Sequence, residues 1–414
     1  MTGGWLFGYV EALRHVGIRS VVVCFSARRK ASVRRTHRPT GATICILPAP
    51  APYLRVRRRM RDPYGWSIED AFGEAEGIRR WGYALLRDAA PYLATPLRRL
   101  ARALRRERCD AILCQEYEYA RFDACVAVGK LLGVPVFATF QGGDWQLSRL
   151  EGPLRPLTLK ACAGLIVAPQ TERERVRAAY GVPARKIARI FNPIDLSNWR
   201  AVDRGRARAA LGLPETARIA VWHGRVDMHR KGLDVLLDAW QRVRAEGAER
   251  DRRLLLVGTG DDAEKMRRRL SEMRPAGVRW VDEYVLDRAA IRRYLSAGDV
   301  YVFPSRHEGF PVAPVEAMAC GLPVVAAAAP GVPDILEGGA AAGGCVVPRG
   351  DAAALASALG PLLDDAARSR TLGARARRRV ERRFARAAVG RQLRSFLTRR
   401  MAATDGSPPP GSKR

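Results

Sequence analysis

The chain has 414 residues, a length that suggests two or three domains. Hydrophobic residues make up 47% and charged residues 28%, which is ordinary globular composition and excludes wholesale disorder, collagen-like repeats and a coiled coil. The sequence has no apolar stretch of about 18 residues free of glycine, proline and charge, and its start lacks the basic-then-apolar order of a secretory signal. We therefore expect a cytoplasmic protein without a spanning helix.

The net charge of +30 comes from 72 basic and 42 acidic residues, and it is concentrated in two segments. Residues 28–108 carry 20 basic and 7 acidic side chains, and residues 366–400 carry 13 arginines and one acid. Such segments indicate an anionic partner, either a membrane or a nucleic acid. The alternative is a solvated surface in a chain whose arginine content follows a GC-rich genome.

The cysteines and histidines do not point to a metal. The eight cysteines include no Cys-x-x-Cys pair and lie in apolar contexts, which predicts buried free thiols in a reducing compartment. No Asp-x-Asp occurs, and the five histidines have no ligand spacing.

Short apolar strands alternate with amphipathic helical stretches along the chain. This alternation is typical of parallel sheets covered on both faces, and the number of strands favours two doubly wound, Rossmann-like α/β domains. The first strand of the amino-terminal domain is missing from the pattern, because a helix over 5–15 comes directly after Gly3 and Gly4. The predicted strands cover residues 20–25, 43–47, 111–114, 134–140, 164–168, 186–191, 217–223, 253–257, 278–281, 299–303, 323–327 and 344–347.

Four regions follow from this reading. We expect a basic amino-terminal domain over 1–195 and a carboxyl-terminal domain over 196–370. An Arg-rich helix over 371–400 follows, and residues 401–414 have nothing to bury and should be a disordered tail.

The stretch from 301 to 325 carries the most chemical information. Glu308 follows a strand, and Glu316 lies on a helix that begins near Pro314, a favoured first-turn proline. Peptide N–H groups of 309–312 and the helix start converge there, so the pattern predicts an anion site beside two carboxylates. The alternative is two solvated surface glutamates.

With this stretch the chain resembles the retaining, GT-B-fold glycosyltransferases of family 4, over about residues 3–390. Four further segments match family elements: His223-Gly224-Arg225 with Lys231-Gly232, Leu256 to Gly260, Phe191 to Asp195, and Pro330 to Asp334, where Asp replaces the usual Glu. The resemblance implies transfer of a sugar from a nucleotide-sugar donor to a glycan or lipid-linked acceptor with retained anomeric configuration. It also implies that the two domains face a cleft, with the acceptor domain over 1–195 and the nucleotide-sugar domain over 196–370. It implies no cofactor and no required metal.

The resemblance also assigns roles to single residues. It implies that Arg225 and Lys231 clamp the diphosphate, that Glu308 contacts the donor sugar hydroxyls and that Glu316 binds the ribose. Arginine and lysine suit a leaving group that develops negative charge, and a carboxylate can accept from two vicinal hydroxyls. The remaining expected donor contacts are Gly3, Gly4, Gly224, Val281, Gly309, Phe310, Pro311 and Val312.

The amino-terminal half departs from the family pattern. Gln141 stands where the family usually has a histidine facing the sugar, and glutamine cannot carry a proton charge. Asp144 is a candidate acceptor contact or the cap of the following turn, and Asn192 is a candidate sugar or acceptor contact.

The basic segments predict peripheral association with the inner face of a membrane. Residues 96–106 place arginine pairs on one side and Leu97, Leu100 and Leu104 on the other, and residues 53–60 are also basic. In the family the last helix returns to the first domain, so the helix over 371–400 should join this face.

Other functions fit less well. A nucleic-acid-binding protein would need basic and aromatic residues interleaved, so no specific nucleic-acid partner is expected. An epimerase would need acid and base residues that the Glu308 element does not supply, and no lysine is marked as a phosphorylase cofactor site. A catalytically degenerate protein that binds a nucleotide-sugar or an anionic partner remains the alternative.

Overall fold

The structure is a computed structural model that describes residues 4–62, 67–74, 76–142, 149–247, 249–308 and 310–404. It divides into two compact units: unit 1 comprises Met1–Ile190 and Gly390–Arg414, and unit 2 comprises Phe191–Val389. The chain passes from unit 1 to unit 2 before the segment from Asn192 to Asp195, whereas the predicted domain boundary follows Asp195. It returns to unit 1 after Val389, whereas the predicted second domain ends at residue 370. Asn192 belongs to unit 2, because Ile194 exchanges backbone hydrogen bonds with residues 384–386.

The strands of unit 1 form two separate sheets instead of one. The first has the order β1-β3-β2, with β2 antiparallel to β3, and the second is the parallel sheet β4-β5-β6-β7. The sequence pattern does not predict β2, because its Val-Arg-Arg-Thr has one apolar residue. These strands are β1 (Val21–Ser26), β2 (Val33–Thr36), β3 (Thr43–Pro48), β4 (Ile112–Cys114), β5 (Val136–Thr139), β6 (Gly164–Ile166) and β7 (Ile187–Ala188).

Helices cover these sheets. No strand precedes the first helix in the described residues, which begin at Gly4. The buried cluster of unit 1 includes residues of both sheets, such as Leu47 and Leu165, so the two sheets share one core. The helices are α1 (Gly4–His15), α2 (Ala51–Arg57), α3 (Ile68–Phe72), α4 (Gly77–Leu93), α5 (Leu97–Arg106), α6 (Ala120–Leu132), α7 (Glu151–Ala161) and α8 (Gln170–Tyr180).

The amphipathic segment 96–106 forms α5, but its apolar side is not free to meet a membrane. Leu100 and Leu104 are 3% and 5% exposed and belong to the same buried cluster as Leu47. Only Leu97 is open to solvent, with 46% of its surface exposed. Leu100 and Leu104 therefore face the core, because this side of the helix covers the sheet.

Unit 2 contains one six-stranded parallel sheet with the order β10-β9-β8-β11-β12-β13. Its strands are nearly continuous apolar runs, as expected for a sheet buried on both faces. They are β8 (Arg218–His223), β9 (Arg252–Val257), β10 (Val278–Val281), β11 (Val300–Phe303), β12 (Val324–Ala327) and β13 (Gly344–Val347). The helices are α9 (Arg204–Ala210), α10 (Leu233–Ala245), α11 (Ala263–Met273), α12 (Arg288–Ala297), α13 (Ala313–Ala319), α14 (Val332–Ile335), α15 (Ala352–Asp364) and α16 (Ala366–Arg383).

The predicted single Arg-rich helix over 371–400 is two helices. α16 belongs to unit 2, whereas α17 (Arg386–Thr404) has its first turn in unit 2 and the rest in unit 1. In unit 1, Phe396 packs edge-on against Phe137 with ring centroids 5.9 Å apart, and a Cβ on Gly390 would overlap the carbonyl oxygen of Ala12. Residues 401–404 continue α17, and residues 405–414 of the predicted tail lie outside the described residues.

All eight cysteines are free, and five of them are buried. Burial raises the pKa of the Cys320 thiol to about 12 and that of Cys162 to about 11. Within the described ranges no helix is long and apolar enough to cross a bilayer.

Candidate active site

The sheet of unit 2 reverses its strand order between β8 and β11. From β8, the strands β9 and β10 follow in order toward one edge of the sheet, and from β11, the strands β12 and β13 follow toward the other edge. Ligands of doubly wound sheets bind in the crevice beyond the carboxyl ends of the strands at this reversal. β8 ends at His223 and β11 ends at Phe303, so the two loops that follow them border this crevice.

Lys231 and Glu308 come from these two loops and form an ion pair. The Lys231 Nζ donates to Oε1 of Glu308 over 2.6 Å, and the side chains are 23% and 12% exposed. A charge-assisted hydrogen bond of this length is among the stronger polar contacts of a protein. The structure thus places a cation and a carboxylate, each accessible on one side, at the crevice.

Gly232 permits the close approach that brings Lys231 to Glu308. It has φ of +65° at the start of α10, and a Cβ there would overlap the carbonyl oxygen of Pro304 in the loop after β11. Glycine adopts this left-handed conformation without steric cost. The Lys-Gly sequence therefore has a structural reason in addition to the charge of the lysine.

Arg306 fixes the two loops to each other. Its guanidinium donates to both carboxylate oxygens of Asp234 over 2.7 and 2.8 Å and to the carbonyl of His229 over 2.8 Å. Burial alone would raise the pKa of Asp234, but the hydrogen bonds from Arg306 and from backbone amides outweigh burial and lower it. Sequence reasoning missed this pair; an arginine two residues before Glu308 was its only signal.

Glu316 is held by a histidine to which sequence reasoning gave no role. Nε2–H of His223 donates to Oε2 of Glu316 over 3.0 Å, and only 9% of the histidine side chain is exposed. The hydroxyl of Tyr301 donates to the carbonyl oxygen of His223 over 3.3 Å. Because His223 ends β8 and Tyr301 lies on the neighbouring β11, the strand order itself brings these groups together. Glu316 lies in the first turn of α13, which begins at Ala313.

Arg225 is paired with a carboxylate from the loop after β9. Its guanidinium forms an ion pair with Asp261, and the two side chains are 62% and 81% exposed. The neighbouring Gly224 is packed so closely that a Cβ on Gly258 would overlap its carbonyl oxygen. Arg225 therefore lies at the surface of the site, in a pair that water screens.

Three of the other expected donor contacts, Phe310, Pro311 and Val312, follow β11, whereas Val281 lies at the end of the edge strand β10. The ring of Phe310 packs on Phe191, the neighbour of Asn192, with centroids 5.6 Å apart. Pro311 is buried and Val312 is half exposed just before α13. Val281 ends β10, where its carbonyl accepts from the amide of Gly258 over 3.0 Å. Gly309 lies outside the described residues.

In unit 1 the expected contact Gln141 belongs to a buried hydrogen-bonded group. Its side-chain amide donates to the hydroxyl of Thr139 over 3.1 Å and also bonds Tyr9, whose pKa is raised by burial. The carboxylate of Glu116 accepts from the backbone amides of Gln141 and Tyr117 over 2.9 and 2.8 Å. Sequence reasoning missed Glu116, a 5% exposed residue without a motif.

The other amino-terminal candidates are only partly described. Gly4 is the first residue of α1, and Gly3 and Asp144 lie outside the described residues. Within the described part of the chain, no group of three or more His, Cys, Asp or Glu side chains is arranged to hold a metal ion.

Comparison with known proteins matches each half of the chain to a glycosyltransferase family profile. Residues 217–365 match the profile described as Glycosyl transferases group 1, and residues 65–198 match Glycosyltransferase Family 4. Sucrose-phosphate synthase from Thermosynechococcus elongatus covers 96% of this chain and 93% of its own, with a TM-score of 0.67 and 22% identity. Together with the two Rossmann-like units, this likeness establishes the GT-B class of fold.

Two further proteins are similar over part of the chain. The phosphatidyl-myo-inositol mannosyltransferase of Mycobacterium leprae is 34% identical over 60% of this chain and 63% of its own length. The Anabaena protein HepE in complex with UDP has a TM-score of 0.63 and 19% identity over 74% of this chain and 82% of its own. This chain thus spans about three fifths of the length of the curated relatives that it matches.

Proposed function

We propose that this chain is a retaining glycosyltransferase that moves a sugar from a nucleotide-diphosphate sugar to a lipid-linked or polysaccharide acceptor. The observation that carries this proposal is the 2.6 Å pair of Lys231 and Glu308 at the strand-order reversal of unit 2. The two family profiles support the transferase class, and the UDP bound to HepE supports a nucleotide donor.

The two cations have the chemistry that the leaving group needs. As the bond between the sugar and the diphosphate breaks, negative charge develops on the departing phosphate oxygen. Lys231 stabilises this charge from its position beside Glu308, and Arg225 adds a second contact after exchanging Asp261 for phosphate. Because these side chains neutralise the diphosphate, the proposal requires no metal ion and no cofactor.

The two carboxylates orient the donor. Glu308 accepts from hydroxyls of the sugar, and Glu316, held by His223, accepts from the ribose hydroxyls. The acceptor hydroxyl oxygen attacks the anomeric carbon on the face that the diphosphate leaves. Its proton passes to the departing phosphate oxygen, so the configuration is retained without a covalent enzyme intermediate.

The acceptor is proposed to reach the enzyme from a membrane. The basic segment 28–108 lies in unit 1, and the named activity of the Mycobacterium leprae relative is directed at phosphatidyl-myo-inositol, a membrane lipid. We therefore place the protein in the cytoplasm at the inner face of the membrane, where anionic headgroups attract basic side chains.

The test is sugar transfer by the wild-type chain. UDP-, GDP- and ADP-sugars with a radiolabelled sugar are incubated with membrane lipids, and label in the lipid extract is measured together with released nucleotide. The proposal expects release from one donor class and label in the lipid or glycan fraction, with the product in the donor's anomeric configuration by NMR. Donor binding without release would instead identify the catalytically degenerate protein, and an inverted product would contradict retention.

A further inference from the structure

Unit 1 contains a cavity of about 950 Å³ at the carboxyl ends of β1 and β3. This volume lies at the upper end of the ~300–1,000 Å³ of typical small-molecule sites. Much of its wall is apolar: Pro48 and Ala49 come from the end of β3, Leu54 from α2, Leu93 from the end of α4 and Leu97 from the start of α5. An apolar ligand portion can therefore be shielded from water there.

Basic side chains surround this apolar wall. Among the described residues no acidic side chain lines the cavity, and no carboxylate pairs with its basic side chains. Arg57 and Arg99 donate to backbone carbonyls, of Met60 over 3.4 Å and of Pro48 over 3.1 Å. The basic lining residues are Arg28, Arg29, Lys30, Arg57, Arg58, Arg98 and Arg99. So many cations without an internal counter-ion favour an anionic ligand.

Helix α4 extends the apolar surface away from the cavity. Ile78, Trp81 and Leu85 are 89%, 64% and 47% exposed, although all three are large and apolar. Their spacing of three and four residues places them on one face of the helix, and Tyr92, seven residues after Leu85, lies on the same face and lines the cavity. An apolar stripe thus runs along α4 to the cavity.

We propose that this cavity binds an anionic phospholipid, with the phosphate on the basic side chains and the apolar part on the cavity wall and the stripe of α4. A free phosphate would use the cations but not the apolar wall. A nucleic acid would need aromatic rings on which bases stack, and among the described residues Tyr92 is the only aromatic ring that lines the cavity. An amphiphile with a charged head uses both features.

This inference deepens the proposed function and rests on it, because the bound lipid would serve the proposed glycosyltransferase as its acceptor or as its anchor at the membrane. The cations that surround the cavity come from three places in the chain: residues 28–30 after β1, 57–58 at the end of α2, and 98–99 in α5. The basic stretches 53–60 and 96–106, both within the segment 28–108, thus meet at one cavity and are joined there by residues 28–30.

The first test is a calorimetric titration of the full chain with dihexanoyl phosphatidylglycerol below its micelle concentration. We expect saturable binding of one lipid per chain, with dihexanoyl phosphatidylcholine binding more weakly. Arg58 and Arg98 make no side-chain hydrogen bond within the described residues, so Arg58→Glu with Arg98→Glu should leave the fold intact. This double variant should weaken binding about tenfold or more, since each basic residue near an anionic surface contributes ~1 kcal/mol.

The matched control reverses two arginines of α5, the helix that carries Arg98, which do not line the cavity. Arg102→Glu with Arg105→Glu changes the net charge equally and should leave lipid affinity within about twofold. Equal weakening by both pairs would overturn the cavity in favour of general electrostatic attraction. Competition by inorganic phosphate as strong as that by the lipid would also overturn it, because the apolar wall would then contribute nothing.

A second test addresses the stripe with vesicles of phosphatidylcholine and phosphatidylglycerol. Trp81→Ala with Leu85→Ala should reduce co-flotation several-fold, whereas Leu131→Ala with Leu157→Ala, which remove apolar side chains exposed elsewhere on unit 1, should not. Equal loss in both pairs would overturn the role of α4. Because neither test needs a donor, failed lipid binding with intact sugar-nucleotide turnover contradicts this inference alone, and failed turnover with intact lipid binding contradicts only the proposed function.

Discussion

Lys231 and Glu308 are 77 positions apart in the sequence, yet their side chains meet at 2.6 Å because β8 and β11 are neighbours in the sheet. Each of the two residues neutralises the other until a ligand arrives. Under the proposed function, a diphosphate would compete with Glu308 for the Lys231 ammonium, while a sugar hydroxyl would share the carboxylate. Substitution of Glu308 should therefore change nucleotide binding and turnover in opposite directions.

Removing the carboxylate charge should separate binding from catalysis. In Glu308→Gln the ammonium of Lys231 loses its internal counter-ion, so UDP alone should bind about fivefold more tightly, a gain of about 1 kcal/mol for a half-buried charge contact. Turnover should fall by about 10²–10³, the usual loss when a preorganised group in a site is removed. Calorimetry with UDP and an assay of nucleotide release measure the two effects, and weaker UDP binding would contradict the competition.

His223 should position Glu316 without entering the reaction. We expect His223→Ala to raise the donor KM about tenfold, since an unpaired buried partner costs about 1–3 kcal/mol, with a smaller change in kcat. His223→Gln should restore most of the affinity, because its side-chain amide N–H can reach the same carboxylate oxygen. Steady-state kinetics of the two variants test this role, and a kcat loss equal in both would contradict it.

Alanine should lower the free energy of unfolding far more at Gly232 than at Gly212, a glycine with a similar backbone conformation. Gly212 has φ of +61° and nothing within 4 Å of a built Cβ, whereas Gly232 has φ of +65° and a Cβ there would overlap Pro304. Gly212→Ala should cost about 1 kcal/mol from the left-handed conformation alone. Gly232→Ala should cost distinctly more and reduce turnover, as measured by urea unfolding and nucleotide release. Equal costs would show that the loops after β8 and β11 separate easily.

The buried carboxyl of Glu151 should make stability depend on pH. Burial raises its pKa from 4.5 to about 7, although Arg155 lies 3.4 Å away. Because the folded form binds the proton more tightly than the unfolded chain, this carboxyl does not lower the free energy of unfolding below pH 4.5. The loss of stability grows as the pH rises to about 7 and is constant above that pH.

The matching variant is Glu151→Gln, which cannot ionise. Between pH 4.5 and 8 its free energy of unfolding should rise relative to the wild type by about 3 kcal/mol, since one pKa unit corresponds to about 1.4 kcal/mol. Chemical denaturation at several pH values measures the difference, and a constant gap across this range would show that the folded-state pKa is ordinary.

Local patterns in the sequence predict the strands well, because the parallel strands are apolar runs bounded by polar loops. They do not predict strand order or which faces are covered. The sequence therefore could not show that the strands of unit 1 form two separate sheets, or that Leu100 and Leu104 of α5 face the core.

The candidate site divides in the same way. Glu308, Lys231 and Arg225 stand in motifs with fixed spacing, so the resemblance points to them directly. The partners of these groups come from distant strands and loops: His223 for Glu316, Asp234 for Arg306 and Asp261 for Arg225. Nothing in the chain near either member of these pairs identifies the other, because their proximity follows from strand order.

Whether the pair of Lys231 and Glu308 forms the active site is tested most directly by nucleotide release from UDP-, GDP- and ADP-sugars. The wild type is compared with Glu308→Gln. Glu264→Gln serves as the control, because Glu264 lies on α11 in an exposed pair with Arg267. We expect nucleotide release from one donor class by the wild type and by the control, and loss of this release in Glu308→Gln. Release that persists in Glu308→Gln at the wild-type rate would contradict the assignment of the active site to the pair of Lys231 and Glu308.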